Sequence, residues 1–440
     1  MRTLRFLLSV MLICFVASCT KDFLDEKTPL VSDNTTDELK CKPQQLKIAV
    51  ISDIHYLAPS LLKNGAENGT AFQTYLNFDP KLLEFSDPIL RKVISLLKRE
   101  RPDIVLIPGD LTKDGEKVSH EAVVRILNQL GTKVFVIPGN HDINNPEAVA
   151  YNGDISNPTP IIQARDFPKI YADFGYRNAI SRDANSLSYI SQPYRGLWIL
   201  AIDDCEYYNN TTTALVPGKI KPETMAWILG KLREARQKNI TVLSMMHHGI
   251  MEHFTNQETI DAGYVTNDWQ NQADKLMNAG LKVMFTGHYH ANDIAMRGSD
   301  ETNVLYDIET GSLVTPPSPY RLITLTNNEL EITTRKITSI NCAMPGGLSF
   351  TDYSNAFITA HMDGYFEYVF TNLYGMDPTT AAGLAPFFRD GWMAHYAGDE
   401  MMPEGIMDVI GGLPYPLDGA LYSIWSDLPP ADNNLHINLN

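Results

Sequence analysis

Leu46-Lys47-Ile48-Ala49-Val50-Ile51-Ser52-Asp53-Ile54-His55 is an apolar, β-branched run that ends abruptly on a carboxylate and an imidazole. Its apolar positions are nearly continuous rather than alternating, as in a strand covered on both faces. Five more runs of this kind follow, so strands are predicted over 47–52, 103–107, 133–137, 197–202, 241–246 and 282–286. Amphipathic stretches at 86–101, 115–130, 222–239 and 269–279 read as helices between them. The alternation is that of an α/β protein. Beyond Gly287 the sequence predicts a strand over 304–308 and a hairpin, 321–326 with 330–337, broken at Asn327-Asn328. The loops over 56–85 and 144–185 are long for a compact domain and are expected to hold short elements or shape a site entrance.

Five of the six runs end on chemistry: Asp53 and His55, Asp110, Asn140 to Asp142, His247 with His248, and His288 with His290. In α/β sheets ligands bind outside the carboxyl ends of strands, so converging strands bring these residues into one cleft. Asp-x-His, Gly-Asp or a lone histidine is common by itself. Gly139-Asn140-His141-Asp142 and Gly287-His288-Tyr289-His290 are rarer, and the whole set recurs at strand ends. Carboxylate, imidazole and amide oxygen without thiolate suit Mn, Fe, Zn or Co better than a zinc-finger or all-oxygen calcium site. Seven candidate ligands are too many for one tetrahedral ion but fit two divalent ions sharing a carboxylate. Glycines before Asp110, Asn140 and His288 allow tight turns that aim the next side chain inward.

The chain has 440 residues, 44% hydrophobic and 20% charged, with a formal charge of -16. That balance argues against a nucleic-acid polymer as partner, since such surfaces need excess Lys and Arg. Arg2 and Arg5 before the apolar run 6–16 fit a secretory signal, and Val16-Ala17-Ser18-Cys19 resembles the bacterial lipobox. The expected organisation is a signal peptide (1–18), a tether (19–44) lipid-anchored through Cys19, a catalytic domain (45–340) and a small, mainly helical C-terminal region (345–440). A bacterial envelope location follows, with Thr20 favouring the outer membrane. Cys41, Cys205 and Cys342 remain, enough for at most one disulfide. The C-terminal aromatics are read as packing residues. His120 and His253 are read as surface or helix-face residues, the Asp203-Asp204 pair as a strand turn, and His361 and His395 as lacking a partner string.

With its ordered blocks D-x-H, GD, GNH[DE], H and GHxH, the chain resembles the calcineurin-like metallophosphoesterases over roughly 46–337. The resemblance implies a four-layer αββα sandwich. It assigns one metal to Asp53, His55, Asp110 and His290, and a second to Asp110, Asn140, His247 and His288, with His248 as the alternative to His247. Stretches outside the ligands, Gly109-Asp110-Leu111-Thr112, Ser119-His120-Glu121 and Asp173-Phe174-Gly175-Tyr176, are similar to the class III cyclic-nucleotide phosphodiesterases. The resemblance implies that Asn140 and His141 are catalytic, His141 protonating or stabilising the leaving group. Some relatives carry an Asp three residues after the bridging one, paired with that histidine. Here the position is Lys113, which leaves Asp114, Asp142 or no partner for His141. A purple acid phosphatase would place a tyrosine there.

Two divalent metals, two carboxylates and a bridging hydroxide sum to about +1, enough to draw a phosphate ester into an acidic protein. The expected reaction is hydrolysis of a small phosphodiester such as a cyclic nucleotide. No arginine follows the GNHD block, where several monoesterases hold extra phosphate charge. The competing readings are a phosphomonoesterase, nucleotidase or glycerophosphodiesterase, and, more distantly, a non-catalytic ligand-binding surface lipoprotein.

Overall fold

The computed structural model describes residues 40–440 apart from 301–302 and 399. The signal peptide, Cys19 and most of the expected tether therefore lie outside the described residues. Two large sheets are built, in chain order, from β1 (Gln45–Val50), β2 (Ile104–Ile107), β3 (Lys133–Val136), β4 (Ala179–Arg182), β5 (Tyr189–Tyr194), β6 (Leu197–Ile202), β7 (Thr241–Met246), β8 (Val283–Thr286), β9 (Ile294–Asp300), β10 (Asn303–Glu309), β11 (Pro319–Thr326), β12 (Glu329–Lys336) and β13 (Asn434–Asn438). The first sheet has the order β13-β12-β11-β1-β2-β3 and the second β9-β10-β8-β7-β6-β5-β4. Pairing is parallel among β1, β2 and β3 and among β6, β7, β8 and β10, and antiparallel elsewhere.

Period-two alternation shows how the layers form. Leu197, Ile199 and Ala201 of β6 enter the core between the sheets. Trp198, Leu200 and Ile202 face the opposite way, onto Ile228 and Leu232 of helix Pro222–Gln237 and Ala273 and Leu276 of helix Trp269–Asn278. Helices Ser86–Glu100 and Lys117–Leu127 bury Ile89, Val93, Leu97, Val123 and Leu127 in the apolar core of the first sheet. Residues buried on both strand faces are why the runs read as continuous rather than alternating. The result is an α/β sandwich of helix, sheet, sheet and helix layers.

All six strands and four helices expected before Gly287 are present, with ends shifted by at most three residues. The hairpin turns through Asn327 (φ 49°) and Asn328 (φ 65°), the paired left-handed conformation that asparagine tolerates. The long loops hold helix Thr70–Phe78 and a small sheet of Leu62–Lys63, Val149–Asn152 and Ile155–Pro158. The C-terminal region contains helices Phe350–Asn372 and Pro378–Ala397, around Ile358, Phe366, Phe370, Phe388 and Trp392. Its end was not expected to form a strand, yet β13 adds to β12 at the edge of the first sheet. The wholly buried Arg321 donates to the carbonyls of Asp432, Glu309 and Asp293, tying that return to both sheets. Among the described residues no helix is long and apolar enough to cross a membrane.

Candidate active site

The carboxyl ends of β1, β2, β3, β7 and β8 converge, and the expected residues meet there. Asp53, His55, Asp110, His288 and His290 all have positive φ, between 38° and 77°. Left-handed backbone costs a non-glycine residue about 1–2 kcal/mol and is tolerated best by Asp, Asn and His. Five such residues around one point mark a site held against local preference. Gly109 does serve a turn (φ 104°), but Gly139 is needed for a different reason: a Cβ there would overlap the carboxylate of Asp110.

Two donor groups share Asp110. Around the first, His290 Nε2 lies 3.5 Å from Asp53 Oδ1 and 3.1 Å from His55 Nε2, which is 3.5 Å from Asp110 Oδ2. Around the second, His247 Nε2 lies 3.4 Å from Asp110 Oδ2 and 3.1 Å from Asn140 Oδ1, with His288 grouped alongside. The backs of these side chains are fixed. His247 Nδ1 donates to the Pro108 carbonyl at 2.9 Å, leaving Nε2 as a lone pair facing inward. Asp110 Oδ1 accepts from the His141 backbone N–H at 3.0 Å, and Asp53 accepts from His288 N and Ser52 Oγ. All seven are buried but for a partly exposed His290.

The electrostatics suit cations. Burial holds His55 and His288 well below the usual histidine range, so their nitrogens are neutral donors. Burial pushes Asp110 up, but His247, His141 and His55 outweigh it and hold the carboxyl well below its ordinary value. Burial likewise opposes charge on His247, yet Asp110 raises it to about 10. The field that would keep a proton on His247 favours a metal ion at the same lone pair, because the two compete for it. Imidazole, carboxylate and amide oxygen at these spacings fit two divalent ions.

His141 stands beside the first group, its ring 4.9 Å from that of His55 and edge-on to it. Its Nδ1 is 3.0 Å from Asp114 Oδ1, so Asp114 is its partner. Asp142 is occupied elsewhere, accepting from the backbone of Leu111, Thr112 and Gly139. Lys113 is buried, pairs with Asp114 and sits 3.8 Å from the Tyr75 ring centre, supporting the carboxylate from behind. Burial pulls His141 down, but Asp110 and Asp114 raise it to about 9.

His248 turns away from the donor groups, to the Val216 carbonyl at 2.8 Å and Asp204 at 3.0 Å. Asp203 accepts from Leu187, Cys205 and Tyr207, closing a turn as expected. His120 and His253 are not at the surface: both are fully buried. His120 contacts Tyr171 Oη and the Asp142 carbonyl, while His253 pairs with Asp293. An amphipathic reading underestimates such burial, because a satisfied imidazole packs inside like an apolar ring.

A cleft of ≈ 220 Å³ opens from the donor groups. Sequence reading did not point to Lys81, which lines it and pairs with Asp79 at 2.8 Å. Nor did it place Tyr264, Tyr365, Trp392 and Tyr396 there. The C-terminal aromatics thus divide: Phe366, Phe370 and Phe388 pack as expected, whereas Tyr365 and Tyr396 face the cleft.

Comparison with known proteins places the chain in a family. Residues 46–292 match the model of the calcineurin-like phosphoesterase family. A probable cyclic nucleotide phosphodiesterase of Vesicomyosocius okutanii is 35% identical over 66 residues, 15% of this chain and 28% of the relative. One from Synechococcus sp. is 31% identical over 98 residues, 22% of this chain and 31% of the relative. The chain thus spans about a third or less of the length of these curated relatives. Among solved structures, a dimetal phosphatase from Danio rerio is similar at 14% identity and a TM-score of 0.46, over 66% of this chain and 96% of that one. With more than half its length matched by the family model, the chain belongs to the calcineurin-like phosphoesterase family.

Proposed function

We propose that the protein is a metal-dependent phosphodiesterase that hydrolyses a small diester such as a cyclic nucleotide at a dinuclear centre. The observation that carries this reading is the pair of donor groups sharing Asp110, with His141 beside them at the floor of an open cleft. Asp53, His55, Asp110 and His290 would hold one ion, and Asp110, Asn140, His247 and His288 the other. Such ions, Mn, Fe or Zn, supply Lewis-acid polarisation of the phosphoryl oxygen and make water nucleophilic near neutral pH.

The chain's own residues account for the rest. Asp114 fixes the His141 tautomer, and against the effect of burial Asp110 with Asp114 raises its pKa, so Nε2 can give its proton to the departing oxygen. Among the described residues lining the cleft, Lys81 is the single Lys or Arg, and Asp79 already neutralises it. A monoester carries nearly one more negative charge than a diester at neutral pH, and this cleft offers no extra cation for it. The diester preference rests on that shortage together with the absence of an arginine after Asp142.

The deciding test is hydrolysis by metal-stripped protein reloaded with one metal at a time. Bis-p-nitrophenyl phosphate and cyclic nucleotides are expected to be cleaved faster than p-nitrophenyl phosphate. The opposite order would make the protein a monoesterase. Envelope anchoring is part of the proposal and rests on residues 1–19 alone. Labelled palmitate should enter the wild-type protein and not Cys19→Ser; incorporation into neither would rule anchoring out.

A further inference from the structure

We propose that the two long C-terminal helices complete the cleft as an aromatic slot that receives a nucleobase of the substrate; this rests on the phosphodiesterase reading above. Helix Phe350–Asn372 contributes Met362 and Tyr365, and helix Pro378–Ala397 contributes Trp392 and Tyr396, to the cleft that also exposes Asn140, His141 and His290. The slot begins at the donor groups, because the Tyr264 ring stacks on His288 with centres 4.9 Å apart and planes 29° from parallel. A ring bound against these aromatics therefore adjoins the phosphate site within the same cleft.

Three observations separate the cleft tyrosines from ordinary packing, with Trp392 bridging them to the helical core. Their neighbours Phe366, Phe370 and Phe388 are buried in the helical core, whereas Tyr365 is 45% exposed and Tyr264 and Tyr396 are half-buried. Among the described residues, the hydroxyls of Tyr264, Tyr365 and Tyr396 have no hydrogen-bond partner, so the protein does not use their polar ends. The slot is nevertheless anchored: Trp392 Nε1 donates to Tyr289 Oη at 2.8 Å, and Tyr289 Oη donates to Asp261 at 2.5 Å. Tyr and Trp are stiff, with two side-chain torsions each, so a ring can stack on them at little entropic cost.

The charge of the cleft selects within the aromatic class. Asp79 and Asp261 line it, and Lys81 is already paired, so a second anionic group away from the phosphate is disfavoured. A neutral planar ring is not. A nucleobase meets both conditions, since every base offers a π-face and hydrogen-bonding edges that free tyrosine hydroxyls can satisfy.

The test compares 3′,5′-cyclic AMP with a base-free analogue, the cyclic 3′,5′-phosphate of 1-O-methyl ribose, in Mn²⁺-loaded protein. Stacking predicts a kcat/KM about 5- to 150-fold higher for the nucleotide. Tyr365→Ala, an exposed substitution on a helix, and Tyr396→Leu should each remove most of that ratio through KM, with metal content retained. Tyr365→Trp should keep it, which a merely structural role for the residue would not require. A ratio near one in the wild type, or one unmoved by Tyr365→Ala and Tyr396→Leu, overturns the slot. If neither compound is cleaved, the phosphodiesterase reading falls by itself. Calorimetric binding of AMP against ribose 5-phosphate then decides the slot, which predicts tighter AMP binding that Tyr365→Ala abolishes.

Discussion

The molecule buries two clusters of histidine and carboxylate that differ in how their atoms are spaced. At the strand tips the donors stand 3.1 to 3.8 Å apart, and their outer atoms are tied to backbone or hydroxyl groups. Beneath the C-terminal helices, His253 Nδ1 lies 2.5 Å from Asp293 Oδ1 and His253 Nε2 3.3 Å from Asp307 Oδ2. His395 there bonds Glu400 directly. In the second cluster the shortest contacts, His253 with Asp293 and His395 with Glu400, are direct hydrogen bonds; in the first, donors from five strand ends converge on two points where an ion would be held. Strain separates them too: five residues of the first cluster are left-handed, and none of His253, Asp293, Asp307, Glu309, His395 or Glu400 is. Similar composition thus takes two forms, a cage whose donors converge as a cation would require and a network of directly bonded histidines and carboxylates.

The largest expected effect comes from Asp110→Ala, which removes the donor common to both groups. Metal content should fall from two equivalents per chain, and hydrolysis by about 10³-fold or more, since metal catalysis supplies several kcal/mol. Elemental analysis beside a rate assay reads both, and two retained equivalents would contradict the shared role. Next, His141→Ala should lose about 10²- to 10⁴-fold in kcat, the range of general-acid help, with both metals kept. Loss of metal instead would move His141 into the cage.

Glu400→Gln and His395→Ala probe the second cluster. Breaking a buried charged pair typically costs about 3–5 kcal/mol, so urea denaturation should show a loss of that order while metal content stays at two. A third equivalent in the wild type, absent in these variants, would erase the distinction drawn from spacing. Asp293, His395 and Glu400 are close enough together to hold an ion, which makes that outcome measurable.

What was legible in the sequence follows the same division. The cage was readable because its residues sit at strand ends, where a continuous apolar run stops and topology directs side chains to one edge. The partner of His141 was not, since Asp114 and Asp142 lie on two separate loops, after β2 and after β3, whose backbone paths decide which faces His141. The second cluster joins Asp293 to Glu400, and the aromatic slot joins Tyr264 to Tyr396. Both depend on how the C-terminal helices dock, which no local pattern encodes. Strand β13 was missed for a related reason: Asn434-Leu435-His436-Ile437-Asn438 is short and half polar, and only the exposed edge of β12 makes it a strand.

His120 is as buried as either cluster yet has no carboxylate partner. Its Nε2 donates to the Asp142 carbonyl at 2.9 Å, so Nδ1 is unprotonated and accepts from Tyr171 Oη at 2.8 Å. Burial lowers its pKa to about 4, with the Asp142 carbonyl acting only weakly the other way. As pH falls below the ordinary 6.5 of histidine, the unfolded chain takes up a proton that the folded chain refuses. Stability from this group is therefore present above pH 6.5 and lost on acidification, by roughly 3 kcal/mol once pH passes below about 4. His395 has the opposite sign: burial opposes its charge, but Glu400 raises its pKa, so its contribution is present at low pH and fades as pH rises. Urea titrations of wild type and His120→Gln between pH 7 and pH 4 should diverge by that amount, the variant losing less. Metal release affects both proteins alike and cancels in the difference. Parallel pH profiles would mean that His120 is protonated inside the fold, and spacing alone would then no longer separate a neutral imidazole from a charged one.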